Sequence, residues 1–404
     1  MRWNKKQEEV IEKAVYHVLH GNEQVYQYSG YPGTGKTAVL MEIIKRIGIP
    51  LKRIAPMAFI GQAAIVMRSR GLYNAKTCHS WCFELVDEIL VDANGIPIID
   101  TTFNKPRKEL VFRPKTKEDF KDIDYFIIDE GYTVPLEMKS IIEGFGKKII
   151  VCGDWGQLPP VKSQPAYLTD RENTDCLEEI MRQDANGGIA YVSKLVREGI
   201  PLSPGYYGNV LVIEHKDLTI DMIKNSQIII CGKNKTREKY TDIVRHDILK
   251  LNTILPTYGE KLICRKNNWG LEVDGISLAN GLIGRVSTPP DVSRFDYKTF
   301  NIDFTTDLMN IRFNDLECDY EYFTATYEER QFLKNNKYNL SNKMEYAYAI
   351  TTHLSQGAQY SNGIYIQEYF PEDIQRNLNL VGASRFKNFL IYVIPDRPKR
   401  FFFG

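Results

Sequence analysis

Eight residues, Gly30-Tyr31-Pro32-Gly33-Thr34-Gly35-Lys36-Thr37, carry the pattern G-x-x-x-x-G-K-[ST]. That spacing does phosphate chemistry. Gly33, Thr34 and Gly35 let the backbone curl so that successive N–H groups converge on phosphate oxygens. A helix starting at the lysine adds the positive end of its dipole to the same point. Lys36 is then expected to reach the β- and γ-phosphates, and the Thr37 hydroxyl to bind Mg²⁺. Downstream, Asp124-Tyr125-Phe126-Ile127-Ile128-Asp129-Glu130 is an apolar run ending in two carboxylates. Behind a phosphate loop, Asp129 is expected to hold the metal, directly or through water. Glu130 is expected to polarise the attacking water as general base. Gln157, in Gly153-Asp154-Trp155-Gly156-Gln157-Leu158-Pro159-Pro160-Val161, follows a second apolar run and is placed to sense a γ-phosphate. Together these residues predict binding and hydrolysis of ATP or a close relative, with Mg²⁺.

The elements that position them read as strands and helices in alternation. Residues 25–28 form a buried strand and 38–47 a helix. Residues 3–19 form a helix with Val10, Ile11, Ala14, Val15 and Val18 on one face. Gln7 lies on that helix, and its amide has the donor and acceptor that an adenine edge requires. A strand ends at Pro56, and a helix starts at Gly61. The alternation from residue 24 to about 170 predicts a doubly wound parallel sheet. A second α/β pattern follows, with strands at 227–231, 345–352, 363–367 and 389–394 and a helix at 236–251. Residues 89–100 read as a hairpin about Asn94-Gly95, and the chain to about 117 stays strand-like and basic, as an insertion in the first domain. Residues 269–340, rich in Asn, Asp, Tyr and Thr, read as a small β module in the second.

A chain of 404 residues exceeds one ordinary core and predicts two to four domains. With a net charge of +1, no global field attracts a polyanion, so a nucleic-acid site has to be a local, lined groove. The seven cysteines include no C-x-x-C pair and read as buried thiols of a reducing compartment. No apolar signal core opens the chain, and no stretch approaches the ~20 apolar residues that span a bilayer. A cytoplasmic protein without a membrane partner is expected.

With these residues in order, the chain resembles the superfamily-one helicases of the B branch, the RecD and Dda group, which includes phage enzymes. The resemblance implies two RecA-like parallel-sheet domains in tandem. The first would comprise 1–86 and 118–175, with a hairpin insertion at 87–117. The second would comprise 176–268 and 343–404, with an SH3-like insertion at 269–342. Residue by residue, it makes Gln7 the adenine reader. Pro56, within a stretched version of one motif, and Thr77 and His79 in the next would touch single-stranded DNA. Arg182, in Met181-Arg182-Gln183, and Arg385, in Val381-Gly382-Ala383-Ser384-Arg385, would reach the γ-phosphate from the second domain. Asn267, Thr352, His353 and Ser355 would line the DNA path, and Phe103 of the hairpin, or an apolar residue near its Asn94-Gly95 turn, would stack on the splitting base pair. Motif II departs from the pattern, reading Asp-Glu-Gly-Tyr where Asp-Glu-Ala-Ser is usual.

The implied activity is an ATP-dependent DNA helicase that moves 5′ to 3′ on single strands and unwinds duplex, in DNA replication or recombination. Implied partners are single-stranded and forked duplex DNA and a single-strand-binding protein or replisome component. The helicase would be a monomer in the cytoplasm, that of the host if the protein is viral. Two other readings are a translocase that does not unwind and a nucleotide-switched binding protein. The complete hydrolytic set argues against the second.

Overall fold

The computed structural model describes residues 2–89, 96–100, 105–106, 108–160, 163–179, 187–291, 298–333 and 341–396. Helix α1 (Lys5–Leu19) starts at a capping box in which the Asn4 side chain accepts from Gln7 N and the Gln7 side chain accepts from Asn4 N. The first lobe continues through β1 (Val25–Gly30), α2 (Lys36–Ile47), β2 (Ile54–Ala58), α3 (Gly61–Ser69), β3 (Lys76–Thr77) and α4 (Cys78–Cys82). An arm follows, made of β4 (Phe83–Ile89), β5 (Ile99–Asp100), β6 (Lys105–Pro106) and β7 (Lys108–Pro114). The lobe then closes with β8 (Tyr125–Asp129), α5 (Leu136–Gly144), β9 (Lys148–Gly153) and β10 (Asp175–Leu177).

Its sheet is parallel throughout, in the order β10-β1-β9-β8-β2-β3. The run from Tyr125 to Ile128 is fully buried because helices cover both faces, Tyr125 and Ile127 packing to one side and Phe126 and Ile128 to the other. The register places Ser29 opposite Gly153 and Ile128 opposite Val151, so the carboxyl ends of β1, β9 and β8 finish side by side. That edge carries the phosphate loop, the Asp129-Glu130 pair and the turn holding Gln157.

The second lobe opens with α6 (Gly188–Arg197), β11 (Gly205–Tyr207), β12 (Val210–Glu214), α7 (Ile220–Lys224), β13 (Ile229–Cys231) and α8 (Asn234–Asp242). Next come β14 (Lys261–Cys264), β15 (Asn268–Val273), β16 (Ile276–Leu278), β17 (Ile283–Thr288), β18 (Thr299–Thr306), β19 (Arg312–Asp319), α9 (Tyr320–Thr324) and α10 (Tyr327–Leu333). The last elements among the described residues are β20 (Met344–Tyr346), β21 (Ala349–Thr351), β22 (Tyr360–Ile366), α11 (Glu372–Ala383) and β23 (Phe386–Ile394). The order β11-β12-β23-β22-β13-β21 makes a second sheet, parallel except at edge strand β11. A separate antiparallel sheet has the order β19-β18-β17-β14-β20 and its own apolar core.

Three local expectations change. The strand expected at 345–352 is two strands in two sheets. Ala347 N donates to Lys261 O and Ile229 N to Tyr348 O, so the chain crosses between sheets at that step. The helix expected at 236–251 starts at Asn234 and passes into a π-helical turn over Ile243–Ile248. In the arm, Ile89 pairs with Lys108 rather than with Asp100, in a ladder that begins at Phe83 and Pro114. The expected turn at Asn94-Gly95 lies outside the described residues.

Arg68 ties the first lobe to the antiparallel module. Its guanidinium is buried and donates to the carbonyls of Ala75 (2.6 Å), Asp274 (2.5 Å) and Gly275 (2.7 Å), the last two in the β15–β16 turn. Arg68→Met keeps the bulk but strands three carbonyls, and is expected to destabilise the fold by about 2–3 kcal/mol. Thermal unfolding checks this; an unchanged midpoint would contradict the tether.

Candidate functional site

The phosphate loop is shaped by Gly33 (φ 86°) and Gly35 (φ 83°), both in the left-handed region that glycine enters without strain. Thr34 is buried and turned inward, its Oγ1 donating to Tyr31 O at 2.8 Å. Lys36 Nζ donates to the carbonyls of Gly30 (2.7 Å) and Tyr31 (3.3 Å) across the same loop. Gln7 Nε2 donates to Thr34 O at 3.0 Å, while its Oε1 accepts from Asn4 N. One end of this amide braces the loop and the other caps α1, and an adenine edge would compete with those bonds.

Across the loop stand the carboxylates. Asp129 Oδ1 accepts from Glu130 N (2.9 Å) and from the Cys152 thiol (3.2 Å). Glu130 has φ 55°, a left-handed conformation rare for a side-chain-bearing residue, which re-aims the chain as it leaves β8. Gln157 Nε2 donates to Glu130 Oε2 at 2.6 Å. A cavity of about 340 Å³ is lined by Lys36, Thr37, Asp129, Glu130 and Gln157 of the first lobe and by Arg385 of the second. Arg385 is buried and held by Val381 O (3.0 Å), Ala358 O (3.4 Å) and Ser384 Oγ (3.1 Å). Desolvation, then the Asp129 charge, pushes the Glu130 carboxyl above its ordinary range. Lys36, Arg385 and the Gln157 hydrogen bond oppose that rise. The Thr37 hydroxyl and Asp129 carboxylate in one cavity are the oxygen donors that a hard divalent cation takes.

A second cavity, about 640 Å³, also draws on both lobes. Thr77 and His79 line it from the first lobe, and Asn267 and His353 from the second. Trp269, which composition left inside the β module, stacks on His79 with ring centroids 5.7 Å apart and meets Phe112 of the arm edge-on at 5.9 Å. Phe59 tilts against His79 at 5.6 Å. Burial lowers the His79 pKa, which favours the neutral ring. Arg265 is the one cation among the described lining residues, and its Nε is spent on Glu345 at 3.1 Å. Neither Trp269 nor Arg265 carries a local motif signal; only the packing finds them.

Other assignments move. Pro56 is buried in β2, where its carbonyl accepts from Trp81 Nε1 at 2.8 Å, and it does not line the groove. Thr352 and Ser355 are fully buried, donating to Cys231 O (3.1 Å) and Thr352 O (2.7 Å). They shape the loop, and Thr351 and His353 face the groove in their place. Arg182 and Phe103 lie outside the described residues.

The two cavities share turns. Gln356 lines the groove and Gly357 the phosphate cavity, and Gln356 Nε2 donates to Leu158 O of the first lobe at 3.1 Å. Thr133 lines the groove while its Oγ1 donates to Glu130 O at 2.8 Å. The motif II departure has a steric reason. A Cβ on Gly131 would sit 2.2 Å from Val151 Cγ1, so alanine has no room there.

Comparison with solved structures gives the same fold. Pif1 helicase from Bacteroides bound to ssDNA matches with a TM-score of 0.56 at 17% identity, over 97% of this chain and 92% of that one. Pif1 from Bacteroides in complex with ADP-AlF3 and ssDNA matches at 0.54, with 17% identity and the same coverage. Pif1 from Candida albicans matches at 0.53 and 16% identity, over 98% and 95% of the two chains. The architecture is thus that of the Pif1 helicases, two RecA-like domains in one chain. An uncharacterized protein of Methanocaldococcus jannaschii is 24% identical over 92% of this chain, which spans 37% of that relative's length. Among the described residues no helix is long and apolar enough to cross a membrane. Residues 3–207, half of the chain, match the AAA domain family model, and the protein belongs to that family.

Proposed function

We propose that the protein is an ATP-driven motor on single-stranded DNA that unwinds duplex ahead of it. The observation that carries this reading is Arg385, a second-lobe arginine lining the same cavity as Lys36 and Glu130. ATP entering the cavity competes for the Lys36 ammonium now donated to Gly30 O and Tyr31 O. Glu130, held by Gln157, accepts a proton from the attacking water. Arg385 stabilises the charge spread over the transferred phosphoryl oxygens, as an arginine finger does. Thr37 and Asp129 would hold Mg²⁺, which neutralises phosphate charge when bound. Because the arginine belongs to the other lobe, hydrolysis and lobe position are linked.

The groove is the proposed path of the strand. Its rings at Trp269, His79 and Phe59 suit sequence-tolerant base stacking, and Thr77, Asn267 and His353 suit the backbone. Pif1 structures that hold ssDNA, and one described as unwinding forked dsDNA, support a DNA partner. Movement 5′ to 3′ is proposed from the likeness to the B branch. The arm at 83–114 is proposed as the wedge, with Phe112 against Trp269 at its base. The motor is read as a monomer serving replication or recombination, with a single-strand-binding protein or replisome component as partner.

Lys36→Ala and Glu130→Gln are each expected to cut DNA-stimulated hydrolysis by about 10²-fold or more while leaving single-strand binding largely intact. Arg385→Ala should keep ATP binding and slow turnover by ~10³-fold. Retained turnover in Glu130→Gln would remove the base assignment. In a pH profile of kcat/KM, which reports the free enzyme, the acid limb is expected above the ordinary carboxylate range of about 4.3, because the base works only when deprotonated and its pKa is raised. Gln157→Ala should push that limb higher still, since the lost bond favours the charged form. Forked DNA with a 5′ or a 3′ single-stranded tail, with and without ATP, tests fuel, polarity and unwinding together. Displacement only from the 5′ tail and only with ATP is expected, and hydrolysis without displacement would favour the translocase.

A further inference from the structure

Arg197, the last residue of α6, takes no part in the steps above, yet it reaches from the second lobe to the phosphate loop. Its guanidinium carbon stands 3.6 Å from the centroid of the Tyr31 ring. Its Nη2 lies 3.5 Å from Asp154 Oδ2, with the Arg197 side chain 19% exposed and that of Asp154 only 2%. Tyr31 lies inside the phosphate loop, and its carbonyl accepts from both Thr34 Oγ1 and Lys36 Nζ. Asp154 starts the turn that carries Gln157. Its Oδ1 accepts from Gly156 N at 2.8 Å, and its carbonyl accepts from Gln157 N at 3.1 Å. Gln157 in turn grips Glu130.

One guanidinium therefore touches both halves of the hydrolytic apparatus. A planar cation lying on an aromatic face combines cation–π attraction with stacking, which an ammonium does not reproduce. The partner carboxylate is almost wholly desolvated, so its ion pair escapes the screening that weakens surface pairs. Gly156 keeps the approach tight. A Cβ there would stand 3.5 Å from Arg197 Nη1 and 2.7 Å from Leu380 Cδ2 of α11.

We propose that Arg197 is a positioning residue that passes the position of the second lobe to the phosphate loop through Tyr31 and to the Gln157–Glu130 pair through Asp154. This rests on the hydrolytic reading above. Movement of α6 relative to the first lobe draws on the loop and on the base-bearing turn together, and the strand in the groove acts on hydrolysis through that link.

The test is steady-state ATP hydrolysis of the full chain with and without single-stranded oligonucleotide. Arg197→Ala is expected to lower the stimulated kcat by about tenfold with KM for ATP changed less than about threefold, and to lower the ratio of stimulated to basal rate. Arg197→Lys keeps the ion pair without the flat contact and should recover part of that ratio; it also serves if the alanine variant is unstable. Tyr31→Leu should lower the ratio in the same direction, and the double variant should lose less than the two single losses combined, because the residues act as one contact. An unchanged ratio in Arg197→Ala, an equal fall in basal and stimulated rates, or strict additivity would overturn the proposal. Absence of hydrolysis in the unmodified chain would remove the functional reading itself. Stimulated hydrolysis with an unchanged Arg197→Ala profile would remove this inference alone.

Discussion

Two carboxylates side by side at a strand end, lining one cavity, are the constraint around which the molecule is arranged. Glu130 is disfavoured as an anion by burial and by Asp129. Lys36 from one lobe and Arg385 from the other offset that cost. The site is therefore electrostatically complete only where the lobes meet. The parallel sheet serves this end: setting β1, β9 and β8 side by side brings the loop, the acids and Gln157 to one edge. The second sheet presents Arg385 on the turn between α11 and β23.

The same turns that line the cavity around Lys36 and Glu130 also form the groove. Thr133 bonds the carbonyl of Glu130 and faces the groove, and Gln356 and Gly357 face one cavity each. Leu158, Leu378 and Val381 form a small apolar core between the lobes beside these contacts. That contact, a few hydrogen bonds and Ile65 of α3, which packs into the core of the antiparallel module, hold the lobes in register. The groove has little mobile positive charge among its described residues, Arg265 being paired with Glu345. The groove is instead lined by rings and amides, and the contact between His79 and Trp269 joins the first lobe to the second there.

The readings of residues 30–37, the Asp129-Glu130 pair, Gln157 and Arg385, which the fold brings together, and of both α/β halves came from sequence alone. Each depends on short-range chemistry: glycine where φ is positive, an apolar run ending in carboxylates, and motifs whose order is itself information. Tertiary structure decided which neighbour faces which cavity. Pro56, Thr352 and Ser355 stand beside groove residues, but one residue of offset in a strand or tight turn reverses the side chain. Gln7 meets the loop because the capping box sets the start of α1 against it. The partner of Ile89, the split of 345–352 between two sheets, and the meetings of Trp269 with His79 and of Arg197 with Tyr31 join residues far apart in the chain. Such contacts follow from how whole sheets pack, and no local spacing records that.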